Sequence, residues 1–352
     1  MSKTCNYTVY WQSSMSHQLS PSISILLPAF NAEVTIDACL QSIKRQTTAD
    51  WECIILDDGS EDGTLRRIRH LTSRDSRIRT VPLRHQGLVA TLNAGISHCR
   101  GNYIARMDAD DVMHSRRLAE QCALLDREPG LAAIGCHVRM FPRDPLQHGT
   151  REYERWLNSI DSPLRLREEA FVECPVAHPT LMIRRNELKA FGYRNQGWPE
   201  DYDLILRLLA AEKEIGILPR RRLNWRQTAH RLSRTAAEYS QASFTECKAA
   251  FLAAGFLADS DRYLLWGHGG TGRTIRKALL RRDKEPSHII EVHPGRVGNM
   301  IAGAPVVGPE ALAGLPRRPL LVSVAGVSAR SQIRDALRRM GFSELQDFIC
   351  VA

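Results

Sequence analysis

No stretch of this sequence approaches the roughly 20 consecutive apolar residues a membrane-crossing helix needs. The first residues hold no apolar core like that of a secretory leader. Membrane contact is therefore expected only at the surface, and the cytoplasm is the expected compartment, with the inner membrane face as a peripheral site. No two cysteines stand at C-x-x-C spacing. The nine present (Cys5, Cys39, Cys53, Cys99, Cys122, Cys136, Cys174, Cys247 and Cys350) are scattered and odd in number. This argues against a structural zinc site and for unpaired thiols in a reducing compartment. No basic stretch interleaved with aromatics and no zinc-finger spacing points to nucleic acid. Internal repeats and low-complexity tracts are also lacking.

The 352 residues that are there suffice for two domains with separate cores. A hydrophobic content of 43% and a charged content of 25% are ordinary for a globular chain. The formal charge of +9 favours polyanionic partners such as phosphates or an anionic membrane face. Arg-rich solvated helix surfaces would give the same excess.

Residues 1–20 are polar and aperiodic and read as a loose lead-in. Ile23 to Leu27 is a buried-strand pattern ended by Pro28. Val34, Ile36, Leu40 and Ile43 predict a helix over 31–46, and a second strand, 51–56, runs into Asp57-Asp58-Gly59-Ser60. A helix over 62–72, a strand over 78–81, a helix over 88–98 and a strand over 103–107 follow. Strands alternating with helices imply an α/β domain with a largely parallel sheet, whose ligands collect at the carboxyl ends of the strands. Three polar strand ends are expected to converge: Pro28-Ala29-Phe30-Asn31, Asp57 to Ser60, and Met107-Asp108-Ala109-Asp110-Asp111. Alternating carboxylates at a chain reversal suit a hard divalent cation, Mg²⁺ or Mn²⁺, shared with phosphate oxygens. A helix cap or a solvated loop would use the same residues. Beyond 129 the pattern is mixed, with short strands near 132–134 and 180–183 and a helix over 201–211. Residues 224–260 read as helical and bridging, and a fresh α/β pattern begins at Arg262.

The motifs resemble those of a family 2 glycosyltransferase of the GT-A fold, in that family's order. They are Ser24 to Glu33, Leu40-Gln41-Ser42-Ile43, Leu56 to Thr64, Leu92 to Ile96, Gly101 to Asp111, His178-Pro179-Thr180 and Trp198 to Leu204. The resemblance implies a nucleotide-diphosphate-sugar transferase domain over residues 21–235. It implies Asp58 as the acceptor of a uracil N3–H, with Pro28, Ala29 and Phe30 lining the base and Glu33 reaching the ribose. Asp110 would hold the metal directly, with Asp108 nearer the ribose or the metal's water shell, and Arg106 as a fixed cation or as an ion-pair partner of these acids. Asp201 matches the family's catalytic base of an inverting transfer, and it is also what a helix N-terminus calls for. Glu200 and His178 would lie on the acceptor side, where His178 is equally readable as a buried hydrogen-bonded residue. His230, beside Arg226 and Arg231, would be a metal ligand or a surface residue. The Gln-x-x-Arg-Trp motif and membrane helices of the processive members are missing, which implies a single transfer. The expected partners are a UDP-sugar donor and a glycan or lipid-linked acceptor of a surface glycan.

A helical connector is expected over 236–258 and a small Rossmann-like module over 259–352. There Gly267, Gly269 and Gly272 form G-x-G-x-x-G between a strand and a helix, and Glu291 follows about twenty residues on, as a ribose-binding acid would. The same glycines can serve tight strand–helix packing alone. No Tyr-x-x-x-Lys pair supports hydride transfer. Nucleotide binding or assembly, including a homo-oligomer through this module, is the expected role. A non-catalytic nucleotide-sugar sensor or scaffold, and an oxidoreductase using the second module, are the alternatives.

Overall fold

The computed structural model describes residues 21–144, 146–228 and 231–352, so the expected lead-in and His230 lie outside the described residues. The first sheet comprises β1 (Ile23–Ala29), β2 (Trp51–Asp57), β3 (Ile78–Pro82), β4 (Tyr103–Arg106), β5 (Val112–Met113), β6 (Leu131–Phe141), β7 (Met182–Arg184) and β8 (Glu214–Arg226). Their order is β3-β2-β1-β4-β7-β6-β8-β5. The first four are parallel, β7 runs against both β4 and β6, and β8 runs with β6. β1 and β2 are buried along their whole length, which is why they read as mainly apolar runs rather than alternating ones, and the buried Ser24 hydroxyl donates to Glu52 at 2.7 Å. Among the described residues no helix is long and apolar enough to cross a membrane.

The helix expected from Asn31 starts at Ile36, and Val34 is 95% exposed rather than on the core face. The cause is local. Asn31 takes φ +48, and the N–H groups of Asn31, Ala32 and Glu33 donate to Ser60 Oγ, Thr64 Oγ1 and Asp62 Oδ2. The loop after β2 thus holds these residues out of the helix. The short strand expected near 132–134 is the start of the eleven-residue β6. The stretch expected to be helical from 224 begins as the last residues of β8, and its helix proper is Gln241–Ala254. Past β7 the outer edge of β6 has no strand beside it. Asn158 there bonds both the N–H and the C=O of Val138, and Glu154 accepts the N–H of Met140. Two side chains thereby satisfy an edge that would otherwise invite another strand.

The second sheet comprises β9 (Arg262–Trp266), β10 (Glu285–Ile290), β11 (Met300–Ile301), β12 (Ala304–Val307), β13 (Leu320–Val322) and β14 (Phe348–Cys350). Its order is β11-β12-β10-β9-β13-β14, parallel apart from the short β11. The helix after the glycine turn runs over Gly270–Leu280, so Gly272 lies inside it.

The apolar cores are distinct but joined. On the helix Gln241–Ala254, Cys247 packs with Tyr202 and Leu206, while Ala249 and Leu252 pack with Tyr263 and Leu265. Glu169, fully buried, is 2.8 Å from Arg334, 3.4 Å from Arg330 and 2.6 Å from Arg165, and it accepts Trp156 Nε1–H at 2.8 Å. Burial works against its charge, but Trp156 and these guanidiniums hold the carboxyl below its usual range. Glu169→Ala would leave Arg330 and Arg334, 3% and 4% exposed, without this partner. Arg334 would keep Glu344. The expected loss is therefore near the low end for a broken buried pair, about 3 kcal/mol, read from urea unfolding.

Candidate active site

The three strand ends do converge. Ala29 stands opposite Asp57, Leu26 opposite Arg106, and the N–H groups of Asp58 and Met107 donate to Ala29 O and Leu26 O. Asp58 is 4% exposed. Its Oδ1 and Oδ2 accept the N–H groups of Gln86 and Gly87 at 3.0 Å, which fixes the carboxylate in one orientation. Beside it the rings of Phe30 and His85 stack with centroids 4.3 Å apart, and Phe30 is half-exposed. His85 Nδ1 lies 3.0 Å from both the carbonyl oxygen and Oδ2 of Asp58. No motif singled out His85; it reaches the site from the loop after β3. Glu33 accepts the Gly63 N–H at 3.0 Å and pairs with Arg66 and Arg67 at 3.5 Å. A ribose would have to share a carboxylate already anchoring the loop after β2.

At the end of β4, oxygens of Asp108, Asp110 and Asp111 lie within 4.8 Å of one another. Arg106, 3% exposed, holds Asp108 Oδ1 at 2.6 Å and also donates to the Met107 carbonyl. Asp111 is fully buried. Its Oδ1 accepts the Arg226 N–H at 2.7 Å, while its Oδ2 has no hydrogen-bond partner. Arg226 Nε also donates to Asp110 O at 2.6 Å, so the end of β8 clamps the acidic turn. Burial and the neighbouring acids push the Asp111 carboxyl well up, and burial and Asp108 raise that of Asp110. Burial opposes the charge of Asp108 too, but Arg106, with Arg231 and His178, keeps its carboxyl below the usual range. Three acids this close, one with an orphaned buried oxygen, fit a hard divalent cation. Asp111 stood in the sequence only as a neighbour of the expected pair.

Asp201 is the second residue of the helix Glu200–Ala210, whose N-cap position is taken by Pro199 without a side-chain cap. Its Oδ1 accepts the Tyr202 N–H at 2.7 Å. Burial, followed by the charge of Glu200, pushes this carboxyl up to about 6. Glu200 lies 3.3 Å from His178 Nδ1 and accepts the Tyr239 hydroxyl at 2.5 Å. His178 Nε2 in turn meets the Tyr193 hydroxyl at 3.0 Å. Burial opposes the charge of Glu200, but these contacts hold its carboxyl below the usual range. His178 is thus buried with both ring nitrogens engaged. Tyr239, from the expected connector, had no signal in the sequence. Arg106 and His178 act electrostatically on both Asp108 and Asp201, which ties the acidic turn to the Glu200-Asp201 pair.

The C-terminal candidates lie apart, at the end of β9. Gly267 takes φ +87, and a Cβ on Gly272 would sit 2.5 Å from Gly267 O, so both are needed by the turn itself. Gly269 has φ −75, and its Cβ would meet nothing within 4 Å. Glu291 is pinned by the His268 N–H and by Arg296, both at 3.0 Å from Oε1.

A sequence model described as Glycosyl transferase family 2 matches residues 24–191, from the start of β1 past β7. EpsE of Bacillus subtilis (strain 168) is 33% identical over 193 residues, 53% of this chain and 66% of its own length, so the match leaves a third of that relative uncovered. The O-antigen biosynthesis glycosyltransferase WbnJ of Escherichia coli is 31% identical over 197 residues, 55% of this chain and 74% of WbnJ. Among solved structures, S. aureus TarS 1-349 in complex with UDP-GlcNAc aligns with a TM-score of 0.54 at 15% identity, over 74% of this chain and 72% of that one. That likeness speaks for the fold alone, a curled sheet rich in parallel strands. Motifs, fold and relatives agree, and the chain belongs to glycosyl transferase family 2.

Proposed function

We propose that residues 21–235 form an inverting glycosyltransferase domain that moves a sugar from a UDP-sugar to an acceptor hydroxyl with the help of Mg²⁺ or Mn²⁺. The observation that carries this is the cluster of Asp108, Asp110 and Asp111 at the carboxyl end of β4, with the orphaned Asp111 Oδ2. Asp110 and Asp111 would hold the cation, which offsets charge growing on the leaving diphosphate. The fixed Asp58 carboxylate can accept the N3–H that uracil has and cytosine lacks, and the Phe30–His85 pair offers the base a flat face. Asp201 takes the acceptor proton as the acceptor oxygen bonds the anomeric carbon from the side opposite the departing UDP. Glu200, held by Tyr239 and His178, orients that region of the acceptor side.

WbnJ, named for O-antigen biosynthesis, and AmsE of Erwinia amylovora, named for amylovoran biosynthesis, support a surface-glycan role with a glycan or lipid-linked acceptor. Work at the cytoplasmic membrane face fits such an acceptor. The UDP-GlcNAc of the TarS complex makes UDP-sugars the first donors to try. The test is a panel of nucleotide sugars assayed for UDP or GDP release with Mn²⁺, with Mg²⁺ and with EDTA. Turnover of a UDP-sugar that chelation abolishes is expected. Turnover that survives EDTA removes the metal, and preference for a GDP-sugar removes the role of Asp58.

The pH profile should carry the mark of Asp201, whose carboxyl is pushed up to about 6. The base must be ionised, so turnover should climb about tenfold per unit below that value and level off above it. The linkage for stability runs the other way. A folded-state value above the unfolded one stabilises the fold at low pH, and this contribution is lost as pH rises through about 6. A flat acid limb down to pH 5 or so would exclude Asp201 as the base.

A further inference from the structure

The second sheet leaves a motif unused by glycosyl transfer. From β9 the chain goes to β10 and β12 on one side, and then to β13 and β14 on the other. The strand order therefore reverses between β9 and β13, which is where open parallel sheets bind ligands, beyond the carboxyl ends of the strands. Two helices begin at that crevice, Gly270–Leu280 and Val327–Arg339. Neither has a side-chain cap, and their first internal bonds are Arg273 N–H to Gly269 O and Arg330 N–H to Gly326 O. The preceding N–H groups are free to receive an anion.

Three further observations point to a ligand. His268, 8% exposed and next to the glycine turn, has a buried Nε2 with no partner. Its ring lies in the field of Arg273 and Arg276 from the first turns of the adjoining helix, and Arg276 Nε is also buried and unpartnered. Gly269 and Gly270 open onto space that no protein atom fills within 4 Å of an added Cβ, whereas Gly267 and Gly272 are sterically required. Finally, Glu291, just past the end of β10, spends Oε1 on the His268 N–H and Arg296, which leaves Oε2 for a hydroxyl.

We propose that this crevice is a second nucleotide site, separate from the transfer site, which takes a nucleoside diphosphate. The diphosphate sits on the turn His268-Gly269-Gly270 and the helix start, faced by Arg273. Glu291 accepts from the ribose. One nucleotide fits rather than two, because the glycine turn and Glu291 both belong to the single unit of β9, the helix Gly270–Leu280 and β10, and only β13 and β14 follow on the other side.

The test uses the full chain in EDTA, so that metal-dependent binding at the transfer site is silent. ADP, UDP and pyrophosphate are titrated by calorimetry and by tryptophan fluorescence, to which Trp266, ending β9 beside the turn, contributes. ADP or UDP should bind with a stoichiometry of one. Gly269→Asp should weaken it by roughly tenfold or more, since a carboxylate would then face the phosphates. Gly269 has an ordinary φ of −75 and open space around it, so this variant should fold and retain transferase turnover. Absence of ADP and UDP binding, unchanged affinity in Gly269→Asp, or equal affinity for pyrophosphate alone would each overturn the proposal.

Discussion

Asp201→Asn is expected to cut turnover by roughly 10²–10⁴-fold and leave donor affinity unchanged, the range for losing a positioned base. The amide oxygen can still accept the Tyr202 N–H, so the helix start at Glu200 should survive. The substitution also removes one of two adjacent acids, and burial and the charge of Glu200 already work against Asp201. The fold should therefore be at least as stable as before. Single-turnover kinetics on a variant with wild-type circular dichroism would check this. Wild-type turnover would hand the proton to Glu200, against expectation, because that carboxylate is already committed to His178 and Tyr239.

The second large effect is expected from Asp110→Ala. A donor diphosphate would then meet Asp108 and Asp111 with less of the cation that screens it, and several kcal/mol of charge stabilisation would go, roughly 10³-fold in turnover. Calorimetry with UDP and Mn²⁺ should show binding lost together with its metal dependence. The backbone role should persist, because Arg226 Nε is held by the carbonyl of Asp110 and not by its side chain. Unchanged affinity would take Asp110 out of the metal site and leave Asp111 as the direct ligand.

β1, β2 and β4 were legible because both faces of the sheet are covered there. Runs such as Ile23–Leu27 and 51–56 then have one reading, although β1 continues through Pro28 to Ala29 and β2 through Asp57. Val34 misled because the helical period continues through residues that the loop after β2 pulls aside, and that loop lies thirty residues away. β6 and β8 were under-read because their length depends on each other, through pairing from Leu131–Glu214 to Phe141–Arg226. In the candidate site, Asp108 and Asp110 stood out as alternating carboxylates at a strand end, and Asp58 and Asp201 through the family resemblance. Asp111, His85 and Tyr239 did not. What distinguishes them is an orphaned oxygen, a stacked ring and a bond across 39 residues, all products of tertiary approach. The raised carboxyl of Asp201 is of the same kind, since it depends on how deeply the helix start is covered.

The junction around Glu169 bears on what a protease could do to this chain. Arg330 and Arg334 grip a carboxylate at the end of the helix Pro163–Glu169 in the other half, and Lys248 donates to the carbonyls of Val172 and Val351, one from each half. A nick in the exposed turn around residues 236–240 would sever the backbone without severing these bonds. The two pieces should then elute from a sizing column as one particle and part only when the whole molecule unfolds. Fragments made separately would lose the contacts of Glu169 to Arg330 and Arg334, keeping only Arg165 for the one and Glu344 for the other, so the halves are better regarded as one cooperative body than as beads on a string.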